Sequence, residues 1–257
     1  MKVATFKGQL GEMLQSLIVA TPANAYEGEK EEQSCYYPKG WSVPSLNDLQ
    51  TRLQKAIPGL PITLPIGDTY VPQGFDGMAL VPKLSALARI FGVDDPYGSG
   101  YGELLEKVLD IIGGKRSFYN YRNGVLGSNY LRLHDEVRSK LEALESEADG
   151  DVLVVPISFG NLFAGYSARN ARHTALGKGQ LPLGSVQVAC LLLSMSERLV
   201  SYDDLWIDCP ADEYNDDADG EWSYSPCFDF SGRLRFIASW SDGAYGRCGS
   251  AVAALGV

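Results

Sequence analysis

Two runs of alternating aromatic residues around a Ser-Gly turn signal constrain the fold of this 257-residue chain more than any other feature. Trp222, Tyr224, Phe228 and Phe230 alternate with Ser223, Ser225, Cys227 and Asp229. After Ser231-Gly232, the residues Leu234, Phe236, Ala238 and Trp240 alternate again. A period of two marks a strand with one buried face. A two-residue turn would set the two aromatic runs on opposite faces. A three-residue loop, Ser231 to Arg233, pairs Phe230 with Leu234, Phe228 with Phe236 and Tyr224 with Trp240, and so the pattern predicts that loop. The same register sets Asp229 opposite Arg235 on the outer face.

Upstream the periodicity is helical. Ser45 and Asp48 have capping-box spacing before the stripe Leu46, Leu49, Leu53 and Ile57, which Pro58 ends. Five prolines from Pro58 to Pro82 predict extended, poorly paired chain. Helices are expected over 83–91 and 101–112, the second ended by Gly113-Gly114. A longer one is expected over 128–147, with Tyr130, Leu133, Val137, Leu141 and Leu144 on its buried stripe. Val152 to Val155 reads as a short strand that Pro156 ends or forces to an edge. Ser167 caps a small helix to Leu176, and Leu183 to Met195 is apolar all round, as in a buried helix. These elements predict an α+β protein: a mainly helical N-terminal half, 1–149, and a C-terminal region, 150–257, with an antiparallel β hairpin or small sheet. The two regions are compatible with one continuous domain.

The net charge of −10 sits in one window. Between Leu199 and Gly232 there is no Lys or Arg, and there are ten carboxylates; everything else balances. Within it, Asn215, Asp217 and Asp219 precede Gly220 at the first, third and fifth places of a calcium-type loop. Glu221 is a further oxygen donor. The twelfth place, where such a loop needs a bidentate Glu, is Pro226. The expected role is therefore that of a noncatalytic interaction or structural protein. Its acidic loop, 203–221, would dock a cationic partner protein or a second copy through Asp212, Glu213 and Asp216, or take up calcium. The alternative is a metal-dependent hydrolase acting on a phosphate ester with the same acids.

A third reading rests on Lys115, Arg116, Tyr119, Tyr121 and Arg122, which interleave rings with cations as single-stranded nucleic-acid binders do. A pI near 4.7 weighs against nucleic acid as a partner. Arg169, Arg172, His173 and Lys178 form a second basic cluster, with the first three on adjacent turns of the small helix. Gly98-Ser99-Gly100-Tyr101-Gly102 lacks the strand and lysine of a phosphate loop and reads as a turn. With two histidines in the chain, general bases are few; His134 is expected to border the core and His173 to be exposed. No apolar run has the length of a membrane helix. Leu17 to Ala25 imitates a signal-peptide cleavage region, but Lys7 and Glu12 interrupt the apolar stretch before it. Five widely spaced cysteines without a C-x-x-C pair fit reduced thiols and a cytoplasmic location.

Overall fold

The computed structural model describes residues 24–65 and 69–255. Ser45 accepts a hydrogen bond from the Asp48 amide and starts α1, Leu46–Ala56. There follow β1 (Gly77–Pro82), α2 (Leu84–Phe91), α3 (Tyr101–Lys115), β2 (Phe118–Asn120), β3 (Leu131–Leu133) and α4 (Asp135–Glu147). The chain continues through β4 (Val152–Ala164), α5 (Ala168–Gly177), β5 (Leu181–Pro182) and α6 (Ser185–Ser194). It ends in β6 (Trp206–Asp208), β7 (Asp212–Tyr214), β8 (Tyr224–Phe230), β9 (Leu234–Trp240) and β10 (Cys248–Ala253). Of the signal-like stretch Leu17 to Ala25, residues 17–23 lie outside the described residues.

The expected mainly helical half followed by a hairpin is overturned. Among the described residues the ten strands make one mixed sheet, with six α-helices. It draws β1 to β3 from the first region and β4 to β10 from the second. Three misreadings account for β1, β3 and β4, and the sequence pattern marked no strand for β2, β5, β6, β7 or β10. The proline-rich stretch ends in β1, which pairs along its whole length with β4, and Pro82 stands at the strand end where a missing N–H is tolerated. Pro156 sits inside β4 instead of ending it. It faces Met78 of β1, and its carbonyl accepts from the Ala254 amide one residue beyond the ladder between β4 and β10, which ends where Pro156 has no N–H to return. Leu131 to Leu133, expected inside a helix, pairs with β7 because both leucines are buried on either side of Arg132. Helix α4 therefore starts only at Asp135, whereas α3 runs through Gly113-Gly114 to Lys115.

The hairpin forms in the expected register: Phe230 faces Leu234, Phe228 faces Phe236, Tyr224 faces Trp240 and Asp229 faces Arg235. β8 uses its other edge for β6 and β7, and β9 carries β2 in parallel on its far side. β10 pairs with β4 along one edge, while β6 and β5 share the other. Register shifts between Gly249 and Ala251, where the backbones of β4 and β10 approach closely. A Cβ on Gly249 would stand 2.3 Å from the Gly160 carbonyl oxygen.

Alternation along the strands sorts the residues onto two faces. Ile207, Phe228, Phe236 and Ala251 join Leu49 and Leu53 of α1, Leu104 and Val108 of α3 and Val186 and Leu191 of α6 in the main core. Val252, on the opposite face, packs with Phe163 against Ala171 and Ala175 of α5 in a small second core. Asp208, Cys227, Asp229 and Ser250 share that second face and are buried. Five free cysteines are all buried. Among the described residues no helix is long and apolar enough to cross a membrane.

Candidate functional site

On the α5 side of the sheet a cavity of about 390 Å³ opens between α5, the start of α4, β7 and the segment leading into β8. Each wall follows from local structure. Asp212 and Tyr214 of β7 point into the main core, so Glu213 between them faces the α5 side. Arg132 stands directly opposite Glu213 on β3, and its Nε donates to Glu213 Oε2 at 2.9 Å. The Arg132 guanidinium also lies 4.1 Å from the Trp222 ring centroid, which fixes that wall. His134, immediately after β3, is the residue before α4, and its amide donates to the Ala211 carbonyl. From α5 come Arg169, Arg172, His173 and Leu176. Ser167 caps that helix by accepting from the Asn170 amide.

The chain before α1 closes the remaining side. Asn24 donates to Asn170 Oδ1 and Thr174 Oγ1, and Glu29 accepts from Ser167 Oγ at 2.6 Å. Glu29 also accepts from Arg169 Nε, 2.9 Å from each carboxylate oxygen, so these partners hold its carboxyl below the usual range despite burial. Tyr26 is thereby placed in the wall, its ring edge-on to His173 at 5.9 Å.

Arg172 differs from its neighbours. Its side chain is 9% exposed, and its guanidinium makes no hydrogen bond to a described residue. Its nearest counter-charge is Glu213 Oε1 at 3.4 Å, a carboxylate already engaged by Arg132. Two guanidiniums therefore share one carboxylate, whereas Arg169 has Glu29 and, at 3.7 Å, Asp242. Buried polar groups are ordinarily hydrogen-bonded, so an arginine in this state points to an absent acceptor. His134 Nδ1 is also buried without a partner. Burial first, and then the Arg172 charge, lower the His134 pKa from 6.5; Glu213, Glu136 and Asp135 oppose the shift.

The residues singled out in the acidic window are dispersed. Asp212 is fully buried, accepting from Tyr101 Oη at 2.8 Å and from the Ser185 amide at 2.7 Å, at the N-terminus of α6. Burial pushes its carboxyl up to about 7. Glu213 lies in the cavity, and Asp216 pairs with Arg122. Asn215 is buried, with Oδ1 unpartnered, while Asp217 and Asp219 are exposed. The Asp219 carboxylate accepts from the Glu221 amide, and Glu221 reaches the cavity rim. Among the described residues no three His, Cys, Asp or Glu side chains gather where they could hold a metal ion.

In the aromatic-basic segment, Tyr119 and Tyr121 are exposed and meet edge-on at 4.6 Å. Lys115 is exposed at the end of α3, but Arg116 is committed to the Ser196 and Leu199 carbonyls. In the glycine-rich turn, Gly102 serves packing: a Cβ there would fall 1.6 Å from the Leu126 carbonyl oxygen. Sequence reasoning placed Arg169, Arg172 and His173 on one helix but missed their company. Tyr26, Arg132, His134 and Trp222 were not joined to them. The alternation Leu131-Arg132-Leu133 against Asp212-Glu213-Tyr214 was the available signal. No protein-family model, curated protein or solved structure matches this chain.

Proposed function

We propose that the cavity binds a small molecule through a single negatively charged group, a phosphodiester or a carboxylate. The observation that carries this reading is the buried Arg172 guanidinium, which has a shared counter-charge and no hydrogen bond to a described residue. An anion accepting from its planar fork would satisfy those donors with charge-assisted bonds. One negative charge is the most the site can take: Arg132 and Arg172 exceed Glu213 by one charge, while Glu136 and Glu221 line the same cavity. A second charge would meet Glu136 and Glu221 in the same lining. The volume is in the range of small-molecule sites, and Trp222 and Tyr26 offer apolar faces for the rest of the ligand.

Thermal melting with dimethyl phosphate or propionate tests the reading. A ligand at one hundred times its Kd adds about 2.7 kcal/mol of stability, so the wild-type Tm rises with concentration. Arg172→Met keeps Glu213 paired with Arg132 and should fold, yet lose at least about tenfold in affinity, the loss of one charge-assisted bond. Which of the two anions shifts Tm identifies the group. Equal shifts in wild type and variant, or none in either, contradict the proposal.

A further inference from the structure

We infer that the cavity is also catalytic, hydrolysing a small phosphodiester with His134 as general base and His173 as general acid. This rests on the anion-binding reading above. The chain has two histidines, and the fold brings both to one cavity from different elements, His134 from the start of α4 and His173 from α5. Neither ring makes a hydrogen bond to a described residue, so neither is held as a structural donor. Tyr26, edge-on at 5.9 Å, orients the His173 ring instead. Arg172 precedes His173 in the chain and faces the same space, where its fork can hold the non-bridging oxygens.

The choice among anions follows from where the proton transfers are useful. A diester carries its one charge and its scissile bond on the same phosphorus, so a group held by Arg172 presents that bond to the cavity. A carboxylate held there presents no leaving group. A monoester brings a second charge towards Glu136 and Glu221. In the reaction His134 takes a proton from water as the water oxygen bonds to phosphorus. The P–O bond to the leaving group breaks, and His173 gives a proton to the departing oxygen. The products are a phosphate monoester and an alcohol, and exchange with solvent resets both rings. His134 Nδ1 is buried, so Nε2 is the nitrogen that takes the proton from water. Burial first, and then the Arg172 charge, favour the neutral His134 ring against Glu213, Glu136 and Asp135.

Hydrolysis of methyl 4-nitrophenyl phosphate and of methyl phenyl phosphate tests the assignment. Replacement by His134→Gln should lower kcat on both esters by about 10²- to 10⁴-fold, the usual contribution of a positioned base. His173→Asn should cost much more on the phenyl ester, whose leaving oxygen needs the proton, than on the nitrophenyl ester. The acid limb of the wild-type kcat/KM profile, which reports the free enzyme, should lie below the ordinary imidazole value of 6.5, the direction in which burial and then the Arg172 charge move His134. Dimethyl phosphate should bind both variants within about threefold of wild type, because Arg172 carries the anion. Wild type that binds dimethyl phosphate without hydrolysing either ester overturns the catalytic inference and leaves the binding reading standing. Equal losses on the two esters for His173→Asn overturn its role as the acid. No binding of dimethyl phosphate overturns the catalytic inference, and no binding of propionate either removes the anion reading as well.

Discussion

Above about pH 5, Asp208→Asn raises the stability of the protein relative to wild type by an amount that grows with pH and levels off above about pH 7. Asp208 is buried on β6 between Cys227 of β8 and Ser250 of β10, and its carboxylate accepts no hydrogen bond from a described residue. Burial alone pushes its pKa from 3.8 to about 7. With its folded value above its unfolded one, the folded state holds an extra proton across that window. Wild-type stability through this group therefore falls as pH rises from about 4 to about 7 and stays low above it. An amide cannot ionise and escapes the penalty. About three pKa units correspond to about 4 kcal/mol at most, and the amide's own desolvation removes about 1–2 kcal/mol of that gain at every pH. Urea denaturation should show the gap between variant and wild type widening by about 3 kcal/mol from about pH 5 to about pH 8. A constant gap would show that Asp208 does not titrate in that range.

Arg198→Met has the opposite sign and a comparable size. Arg198 is fully buried, donating to the Leu205 carbonyl at 2.9 Å and the Phe159 carbonyl at 2.8 Å, with its guanidinium 4.0 Å from the Tyr37 ring centroid. Tyr37 Oη donates to Asp76 at 2.6 Å, and the Arg198 charge acts to lower an Asp76 pKa that burial raises. Methionine fills much of the volume but leaves two buried carbonyls without these donors and Asp76 without its cation. Breaking such a buried network costs about 3–5 kcal/mol. Arg198→Lys should recover only part, since one ammonium cannot reproduce the fork. A loss below about 1 kcal/mol in equilibrium unfolding would mean that water replaces the arginine at no cost.

What the sequence revealed and what it hid follow from range. The β8–β9 register was legible because its determinants, the alternating aromatics and the Ser-Gly turn, lie within one hairpin. The Ser45 and Ser167 caps were legible for the same reason. The sheet was not, because strand identity at Pro156 and at Leu131 depends on neighbours far along the chain. The acidic window was legible as charge but not in its internal partners, for the same reason. Asp212 satisfies Tyr101 and the start of α6, Asp229 binds Arg235 and Asp216 binds Arg122, so much of what reads as one charged surface is divided among internal contacts. The cavity needs Glu213 set against Arg132 across two short strands before α5 delivers Arg172 and His173. Only half of that arrangement is visible as a local pattern.

The two imidazoles allow the central claim to be tested directly, because the chain has no other histidine. Their side-chain NMR signals can be followed while dimethyl phosphate or propionate is added to the wild-type protein. If the cavity holds an anion on Arg172, both signals move, saturate and share one midpoint, and neither moves in Arg172→Met. Two signals that stay fixed up to saturating anion, or that drift linearly and independently in wild type and variant alike, would contradict the assignment of this cavity as the functional site.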